Sequence, residues 1–302
     1  MYKEKSFNKV IKQICLENNI QYEELSDDWV IKLEKDNCNR FLVGYKFDLN
    51  TQATAEICND KFALYSVLNS NKIPVIEYNI LFKNEEEKLK YYFEKYNHNV
   101  VIKPNNGTCG CNVKHIIEYN ELKTEYENLI RKYYSVNICP FYDIESEYRI
   151  IYLPNKQYMY KKVKPIVVGD GNSSVKELLE KFNYEYFSKL ENCKNEKIPL
   201  DYIPKVDEKI EYEWKFNLSK GAKTDEVTEV EKKELINLLN KIINVIDLKF
   251  VSIDIVKMKN NEYMVMEINS GVMMENLIKL KENGFEIAKD IYTEAIRMMF
   301  RF

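Results

Sequence analysis

Apolar residues recur along the first part of the chain with two different periods. Between Phe7 and Leu16 they fall at helical spacing, which predicts a helix. Two short runs, Trp29–Leu33 and Phe41–Tyr45, alternate between apolar and polar residues on either side of Asp36-Asn37, which predicts a β-hairpin. The helical period returns from Glu56 to Ser70. The first segment is thus a small cap followed by a helix.

An apolar strand further along ends in a lysine and leads directly into a glycine-bearing loop. The strand is Asn99–Pro104, with Lys103 near its end, and the loop runs from Asn105 to Asn112. An ammonium group and backbone N–H groups placed in this way can bind phosphate oxygens. An ordinary hairpin turn has the same pattern, and a lone Gly-x-x-Gly loop does not separate the two. The loop lacks the Gly-Lys-Ser/Thr ending of a Walker loop, and it is not a dinucleotide-binding loop, because it has only two glycines and no helix follows.

The second half of the chain contains strand-like runs in groups, with helical runs beside them. Two alternating strands, Phe250–Met258 and Glu262–Asn269, flank the turn Asn260-Asn261. The other predicted strands are Ile138–Tyr142, Tyr148–Leu153 and Tyr158–Val163, and the helices are Ser173–Phe182, Glu229–Ile246 and Ile287–Met299. Grouped strands with helices to the side indicate α+β lobes rather than a doubly wound sheet.

The last predicted hairpin carries three oxygen-bearing side chains. Glu267 and Asn269 lie two residues apart on one strand and therefore share a face, and Asp254 lies on the preceding strand. Carboxylates buried together require a neutralising cation, and Mg²⁺ is the hard ion that such oxygens bind together with nucleotide phosphates. The alternative is an edge hairpin whose polar side chains face water.

Composition and charge exclude several classes of function. The 302 residues, 45% of them hydrophobic, suffice for two or three lobes. A net charge of -3 provides no general basic field, so no nucleic-acid or membrane partner is expected. Seven cysteines without a Cys-x-x-Cys pair, two histidines and a charged N-terminus predict a cytoplasmic protein with reduced thiols and no His-ligated zinc or Ser/His/Asp triad.

The order of these pieces resembles the ATP-grasp superfamily over roughly residues 50 to 300. Within it the chain is most similar to the ATP-grasp part of cyanophycin synthetase and bifunctional glutathione synthetases, and more distantly to the RimK and D-alanine–D-alanine ligase groups. The stretches that carry the resemblance are Asp60-Lys61, Val101–Pro104, Glu147–Arg149, Val167–Leu179, Asn217–Gly221 and Met266–Asn269.

The resemblance implies a role for each matching position. Two lysines, Lys61 and Lys103, match phosphate-binding residues, Glu147 matches the acceptor for the ribose hydroxyls, and Asp254, Glu267 and Asn269 match metal ligands. The implied phosphate flap includes Asn106, Gly107, Thr108 and Gly110, and the implied adenine-binding hinge is Cys139, Pro140, Phe141 and Tyr142. Candidate catalytic residues near the transferred phosphate are Lys162, Arg149 and Asn217.

The resemblance also implies a fold and a reaction. It implies an ATP-grasp fold with a shortened N-terminal cap (1–60), a small lid subdomain (61–136) and a C-terminal subdomain with the metal site (137–302). The implied enzyme is an ATP- and Mg²⁺-dependent ligase that joins an amino-acid or peptide carboxylate to an amine through an acyl phosphate. The alternatives are an ATP-binding regulatory or scaffold protein and a small-molecule kinase. A homodimer, or a partner that completes the substrate site, is compatible with the short cap.

The segment after Asn269 departs from the family pattern. Relatives often have Pro-Gly soon after this asparagine, whereas here the run continues as Ser270–Asn276. Glu275 within it is expected either to bind an amine of the substrate or to stabilise backbone N–H groups at the start of a helix.

Overall fold

A computed structural model describes residues 4–26, 29–107, 112–188 and 198–301 of the chain. Ten α-helices lie within these ranges: α1 (Ser6–Glu17), α2 (Gln52–Asn59), α3 (Lys61–Ser70), α4 (Glu86–Lys95), α5 (Tyr119–Ile130), α6 (Val175–Phe182), α7 (Tyr184–Phe187), α8 (Glu229–Ile243), α9 (Glu275–Leu280) and α10 (Gly284–Phe300). Every described helix is too short or too polar to span a membrane.

Fifteen strands within the same ranges form four sheets, and the strands in each sheet pair in antiparallel fashion. The N-terminal sheet contains β1 (Gln21–Leu25), β2 (Val30–Lys35), β3 (Cys38–Val43) and β4 (Lys46–Phe47). The small sheet has the order β5 (Asn79–Leu81), β8 (Val136–Pro140), β6 (Val100–Pro104), β7 (Lys114–Ile116). The large sheet has the order β13 (Lys223–Asp225), β10 (Lys156–Val163), β9 (Ile144–Leu153), β14 (Val251–Met258), β15 (Tyr263–Asn269), and β11 (Ile166–Val168) pairs with β12 (Lys209–Glu211).

The N-terminal cap follows the predicted pattern. Asp36 and Asn37 both have positive φ, the conformation that a tight hairpin turn between β2 and β3 requires. The apolar residues Ile31, Leu33 and Leu42 of this hairpin are buried in one core with α1 and α10. The first and last helices of the chain therefore cover the same sheet.

The two faces of the large sheet have different coverings. On β9, Tyr148 and Ile150 point to one face, which is packed against apolar residues of α3 and α8. Ile151 and Leu153 point to the opposite face and join the core shared with the cap. Because residues two apart share a face, Glu147 and Arg149 lie on the cap side, beyond the end of that apolar core.

The small sheet is likewise divided by the two-residue alternation. Val100 and Ile102 of β6 pack against α4 and α5. Val101 contacts a different cluster, which also contains Cys139 of the small sheet and Val256 of the large sheet. The face of β6 that carries Val101 and Lys103 is therefore turned towards the large sheet.

The predicted helix over residues 56–70 is wrong in one respect, since the structure has two helices there. Asp60 has an extended conformation (φ -98°, ψ 111°) and separates α2 from α3. Its side chain accepts a hydrogen bond from the N–H of Ala63, as a helix N-cap does. The break places Lys61 at the first position of α3.

Grouped antiparallel strands with separate helices confirm the predicted α+β class. The division into 1–60, 61–136 and 137–302 stays a prediction.

The cap is joined to the large sheet through Asn50. The side-chain oxygen of Asn50 accepts hydrogen bonds from the N–H groups of Lys249 (2.9 Å) and Phe250 (3.2 Å), and its side-chain nitrogen donates to the carbonyl of Phe250 (2.6 Å).

The N50A substitution removes these three hydrogen bonds and leaves backbone groups near β14 without their partners. The expected result is a loss of about 2 kcal/mol in the free energy of unfolding, measured by urea denaturation. N237A on the exposed side of α8 is the control, with an expected change below about 0.5 kcal/mol. A loss for N50A no larger than that of N237A would contradict the role of Asn50.

Candidate functional site

The register of the large sheet places charged side chains next to one another on one face. Asp254 on β14 lies opposite Arg149 on β9 and opposite Glu267 on β15. Lys162 on β10 lies opposite Glu147 on β9. Five residues predicted as catalytic, nucleotide-binding or metal-binding are thus brought together by strand pairing.

Asp254 is the centre of this group. It is 1% exposed, and Arg149 binds both of its carboxylate oxygens, with Nε–Oδ1 and Nη2–Oδ2 distances of 2.7 and 2.6 Å. The ammonium of Lys162 donates to the same Oδ1 at 3.0 Å. Burial opposes ionisation, but Arg149 and Lys162 outweigh it and hold the pKa of Asp254 well below its usual range. Asp254 is therefore a carboxylate in this arrangement.

Lys162 joins Asp254 to Glu147, because its ammonium also donates to Oε1 of Glu147. Burial and the neighbouring Arg149 lower the pKa of Lys162, yet Asp254 and Glu147 more than compensate, and the net shift is upward. The pKa of Glu147 is raised chiefly by burial, with Asp254 adding to the effect. The four side chains form a mutually neutralising network on the floor of the site, in which Glu147, Lys162 and Asp254 are buried and Arg149 is partly exposed.

The two predicted phosphate-binding lysines approach this floor from the other side. Lys61 is buried and lies 3.9 Å from Oε2 of Glu267, measured from its Nζ. Lys103 of β6 donates to the hydroxyl of Tyr78 at 3.0 Å, and that hydroxyl donates to the carbonyl of Met266 on β15. Burial and the nearby charge of Lys103 lower the pKa of Lys61, while Glu267 opposes this shift. Both lysines thus lie beside the hairpin that carries the predicted metal ligands.

The predicted hinge lies at the end of β8. Cys139 is buried, and its burial raises the pKa of the thiol to about 11, so the thiol form is favoured at neutral pH. Pro140 ends β8, and the N–H of Phe141 donates to the carbonyl of Asn99 at 2.9 Å. The hydroxyl of Tyr142 accepts from the N–H of Glu77 at 3.1 Å. The segment is a fixed crossing between the small and the large sheet.

The remaining predicted residues differ in their placement. Asn106 and Gly107 begin the glycine-bearing loop, and the carbonyl of Gly107 accepts from Lys61 at 2.9 Å. Thr108 and Gly110 lie outside the described residues. Asn217 precedes a short 3-10 helix, Leu218–Lys220, and its carbonyl accepts from the N–H of Lys220 at 2.8 Å. In the described part of the chain, no hydrogen bond joins the side chain of Asn217 to the charged network.

The three predicted metal ligands supply oxygen donors of the kind that Mg²⁺ binds. Glu267 is partly exposed, and its Oε1 accepts from the side-chain amide of Asn269 at 3.3 Å, which leaves the carbonyl oxygen of that amide for another partner. Within the described ranges no group of three or more His, Cys, Asp or Glu side chains could hold a metal ion by itself. Glu267 and Asn269 fit Mg²⁺ that takes its other ligands from phosphates, whereas both oxygens of Asp254 are bound by Arg149 and Lys162.

Two aromatic residues of the site were not predicted. Tyr78 lies between Lys103 and Met266, and Trp214 lies 5.7 Å from Phe141, measured between ring centroids. His115, to which the sequence assigned no role, stacks on Phe141 with ring centroids 3.8 Å apart. The local sequence pattern could not predict these residues, because each one reaches the site by packing against a segment that is distant in the sequence.

Glu275, for which two roles were expected, binds backbone N–H groups. Its carboxylate accepts from the N–H of Ser6 at 3.2 Å and of Phe7 at 2.8 Å, the first two residues of α1. A carboxylate at a helix N-terminus satisfies otherwise unpaired donors. This contact supports the stabilising role and binds the segment after Asn269 to the cap.

The chain is similar to known proteins in its overall fold and, over one segment, in its sequence. Solved structures with similar folds include a bifunctional glutathione synthetase from Pasteurella multocida (TM-score 0.56, 18% identity, 96% of this chain and 44% of that chain). Others are a D-alanine–D-alanine ligase from Bacillus anthracis (0.56, 15%, 85% and 72%) and a D-alanyl-alanine synthetase A from Vibrio cholerae (0.60, 12%, 97% and 92%).

The chain thus spans less than half the length of the glutathione synthetase that it resembles. No curated protein sequence shows significant similarity to it. Residues 206–295, which include the hairpin with Asp254 and Glu267, match the RimK-like ATP-grasp domain family. Residues 206–295 of the chain therefore form a RimK-like ATP-grasp segment, in a chain whose overall fold is similar to those of the synthetases and ligases named above.

Proposed function

We propose that the protein is an ATP-dependent carboxylate–amine ligase that forms an amide bond on an amino-acid or peptide-like substrate. One observation carries this proposal: Lys61 at the start of α3 lies 3.9 Å from Glu267 of the large sheet, with Lys103 of the small sheet beside them. Cations and a carboxylate placed side by side in this way suit a triphosphate bound together with Mg²⁺. Use of cellular ATP is consistent with a cytoplasmic location.

An apolar cluster next to the charges is suited to the nucleotide base. Its buried members come from both sheets and include Val101, Cys139 and Val256. Partly buried residues at its edge are Phe141, Tyr142, Ile144, Trp214, Met258, Met264 and Met266. A flat purine placed here would contact apolar and aromatic surface, with Glu147 close by for the ribose. A bound nucleotide would then extend from its base at the apolar cluster to its phosphates at the charged network.

The reaction assigned to the site needs no side-chain nucleophile. A carboxylate of the substrate attacks the terminal phosphorus of ATP, the bond to ADP breaks, and an acyl phosphate results. The amine then attacks the acyl carbon, and phosphate leaves with the bonding electrons. Lys61 and Lys103 would offset charge on the phosphates, and Lys162 and Arg149 are positioned by Asp254 near the transferred group. Bound Mg²⁺, held by Glu267 and Asn269, would neutralise phosphate charge.

The substrate class follows from the relatives by analogy. The similar structures are named as synthetases or ligases of glutathione and D-alanyl-alanine, which are peptides. Fold similarity alone does not fix a reaction, so the class of bond is part of the proposal.

Nucleotide binding should reduce the fluorescence of Trp214, because a purine in the apolar cluster would lie against this ring. The protein has two tryptophans, and the other, Trp29, is 59% exposed in the cap. Titration of ATP with Mg²⁺ should therefore quench emission in the wild type and in W29F, and have little effect in W214F. A response that persists in W214F and disappears in W29F would place the nucleotide at the cap.

Hydroxylamine should trap the acyl phosphate. Incubation with ATP, Mg²⁺, hydroxylamine and a panel of amino acids and dipeptides is expected to yield a hydroxamate and ADP in equal amounts for the accepted acid. A small-molecule kinase would yield a phosphoester that resists hydroxylamine, and a scaffold protein would yield neither product. Either of these results would overturn the ligase assignment.

The E267Q substitution should lower turnover by at least about tenfold, because an amide is a weaker ligand for Mg²⁺ than a carboxylate. The loss should be largest at limiting Mg²⁺, measured as ADP release, with the midpoint of thermal unfolding nearly unchanged. E262Q, an exposed position in the turn of the same hairpin, is the matched control. Wild-type turnover by E267Q at limiting Mg²⁺ would exclude Glu267 as a ligand.

A further inference from the structure

The ammonium of Lys61 has protein partners on two sides. It donates to the backbone carbonyls of Asn105 at 3.2 Å and Gly107 at 2.9 Å, at the start of the glycine-bearing loop. On the other side, Oε2 of Glu267 lies 3.9 Å away. A charged donor held by two carbonyls has a fixed direction, so the start of the loop determines where the ammonium lies relative to Glu267.

The position of Asn105 is in turn fixed by its buried side chain. Asn105 is 1% exposed, and its Nδ2 donates to Oδ2 of Asp60 at 2.7 Å. Its Oδ1 accepts from the N–H of Phe62 at 3.4 Å and from the side chain of Asn137 at 3.3 Å. One amide therefore joins the start of α3, the end of β6 and the neighbouring strand β8.

These contacts form a closed circuit around Lys61. Asp60 and Phe62, the residues on either side of Lys61, bind the side chain of Asn105, while Lys61 binds the backbone of Asn105. Both ends of the lysine side chain are consequently tied to the same residue. Removal of the Asn105 amide would free the loop carbonyls and the start of α3 together, and Lys61 would lose its direction towards Glu267.

We propose that Asn105 is a positioning residue that holds Lys61 between the start of the glycine-bearing loop and Glu267, and thereby links phosphate binding to metal binding. The inference rests on the proposed function, since it assigns Lys61 to phosphate and Glu267 to Mg²⁺. Asn105 itself touches neither, and it acts through the ammonium of Lys61.

The test is binding of ADP to the full chain, measured by isothermal titration calorimetry with and without Mg²⁺. N105A should weaken binding of ADP with Mg²⁺ by about tenfold, as expected when a charged donor loses its placement. It should also reduce the gain in affinity that Mg²⁺ confers. The double variant N105A/K61M should bind no more weakly than K61M, because Asn105 acts only through Lys61.

N8A is the control for loss of a buried amide. Asn8 is also 1% exposed and lies in α1, which is distant from Asn105 in the sequence. Its side-chain atoms have no hydrogen-bond partner in the described structure. N8A should leave the affinity for ADP within about twofold of the wild type, whatever its effect on stability. If N105A does not fold, N105S replaces it, since a hydroxyl there introduces no charge beside Asp60 but is too short to make the contacts of the amide.

Three results would overturn the inference. Unchanged affinity and Mg²⁺ dependence in a folded Asn105 variant would exclude a positioning role. A loss that adds in full to that of K61M would show that Asn105 acts independently of Lys61. If the wild type does not bind ADP at all, the proposed function is overturned together with this inference. The titration of the wild type alone distinguishes this result from the other two.

Discussion

The interaction on which the rest of the site depends is the buried bridge between Arg149 and Asp254. A carboxylate with 1% exposure cannot remain ionised without compensating charge, and the two-pronged guanidinium supplies it. Removal of Arg149 would leave the buried Asp254 with only part of the charge that offsets it, since Lys162 is retained, and the loss of one partner from a buried ion pair is strongly destabilising. Since the two residues lie opposite each other on β9 and β14, the same pairing that builds the large sheet also fixes the charges at its centre. Lys162 and Glu147 extend this neutral floor along the neighbouring strands.

The cap contributes to the site by holding the segment that follows the predicted metal ligands. Lys46 of β4 forms a bridge with Gly271, and the N–H of Val272 donates to the carbonyl of Tyr45 at 3.0 Å. Glu275 then binds the first N–H groups of α1, and the hydroxyl of Tyr292 in α10 donates to the carbonyl of Val272. The N-terminal cap and α10 together therefore fix this loop from both sides.

The sequence pattern predicted the helices and strands in which apolar residues recur at a regular spacing. It also predicted which polar side chains share a face at that spacing. The α+β class, the strand that ends at Lys103 and the shared face of Glu267 and Asn269 follow from alternation alone. The break at Asp60 could not be predicted, because apolar spacing continues across it and only the cap contact with Ala63 marks a new helix. Asn105 and Trp214 could not be predicted either, since their partners lie tens of residues away and no local period records such contacts. Roles at Lys61, Cys139 and Glu147 came from resemblance rather than from pattern.

The charge balance of the site explains why a nucleotide and a divalent ion would depend on each other there. Four cations, Lys61, Lys103, Arg149 and Lys162, face three carboxylates, Glu147, Asp254 and Glu267. Two of the cations, Arg149 and Lys162, already bind Asp254 and Glu147, which leaves Lys61 and Lys103 to face a triphosphate with several negative charges. A triphosphate bound alone would place its negative charges close to the Glu267 carboxylate. A divalent cation bound alone at Glu267 would be repelled by the ammonium of Lys61, which lies 3.9 Å from that carboxylate. Bound together, each offsets the charge that opposes the other, so the geometry of Lys61 and Glu267 favours the pair over either component.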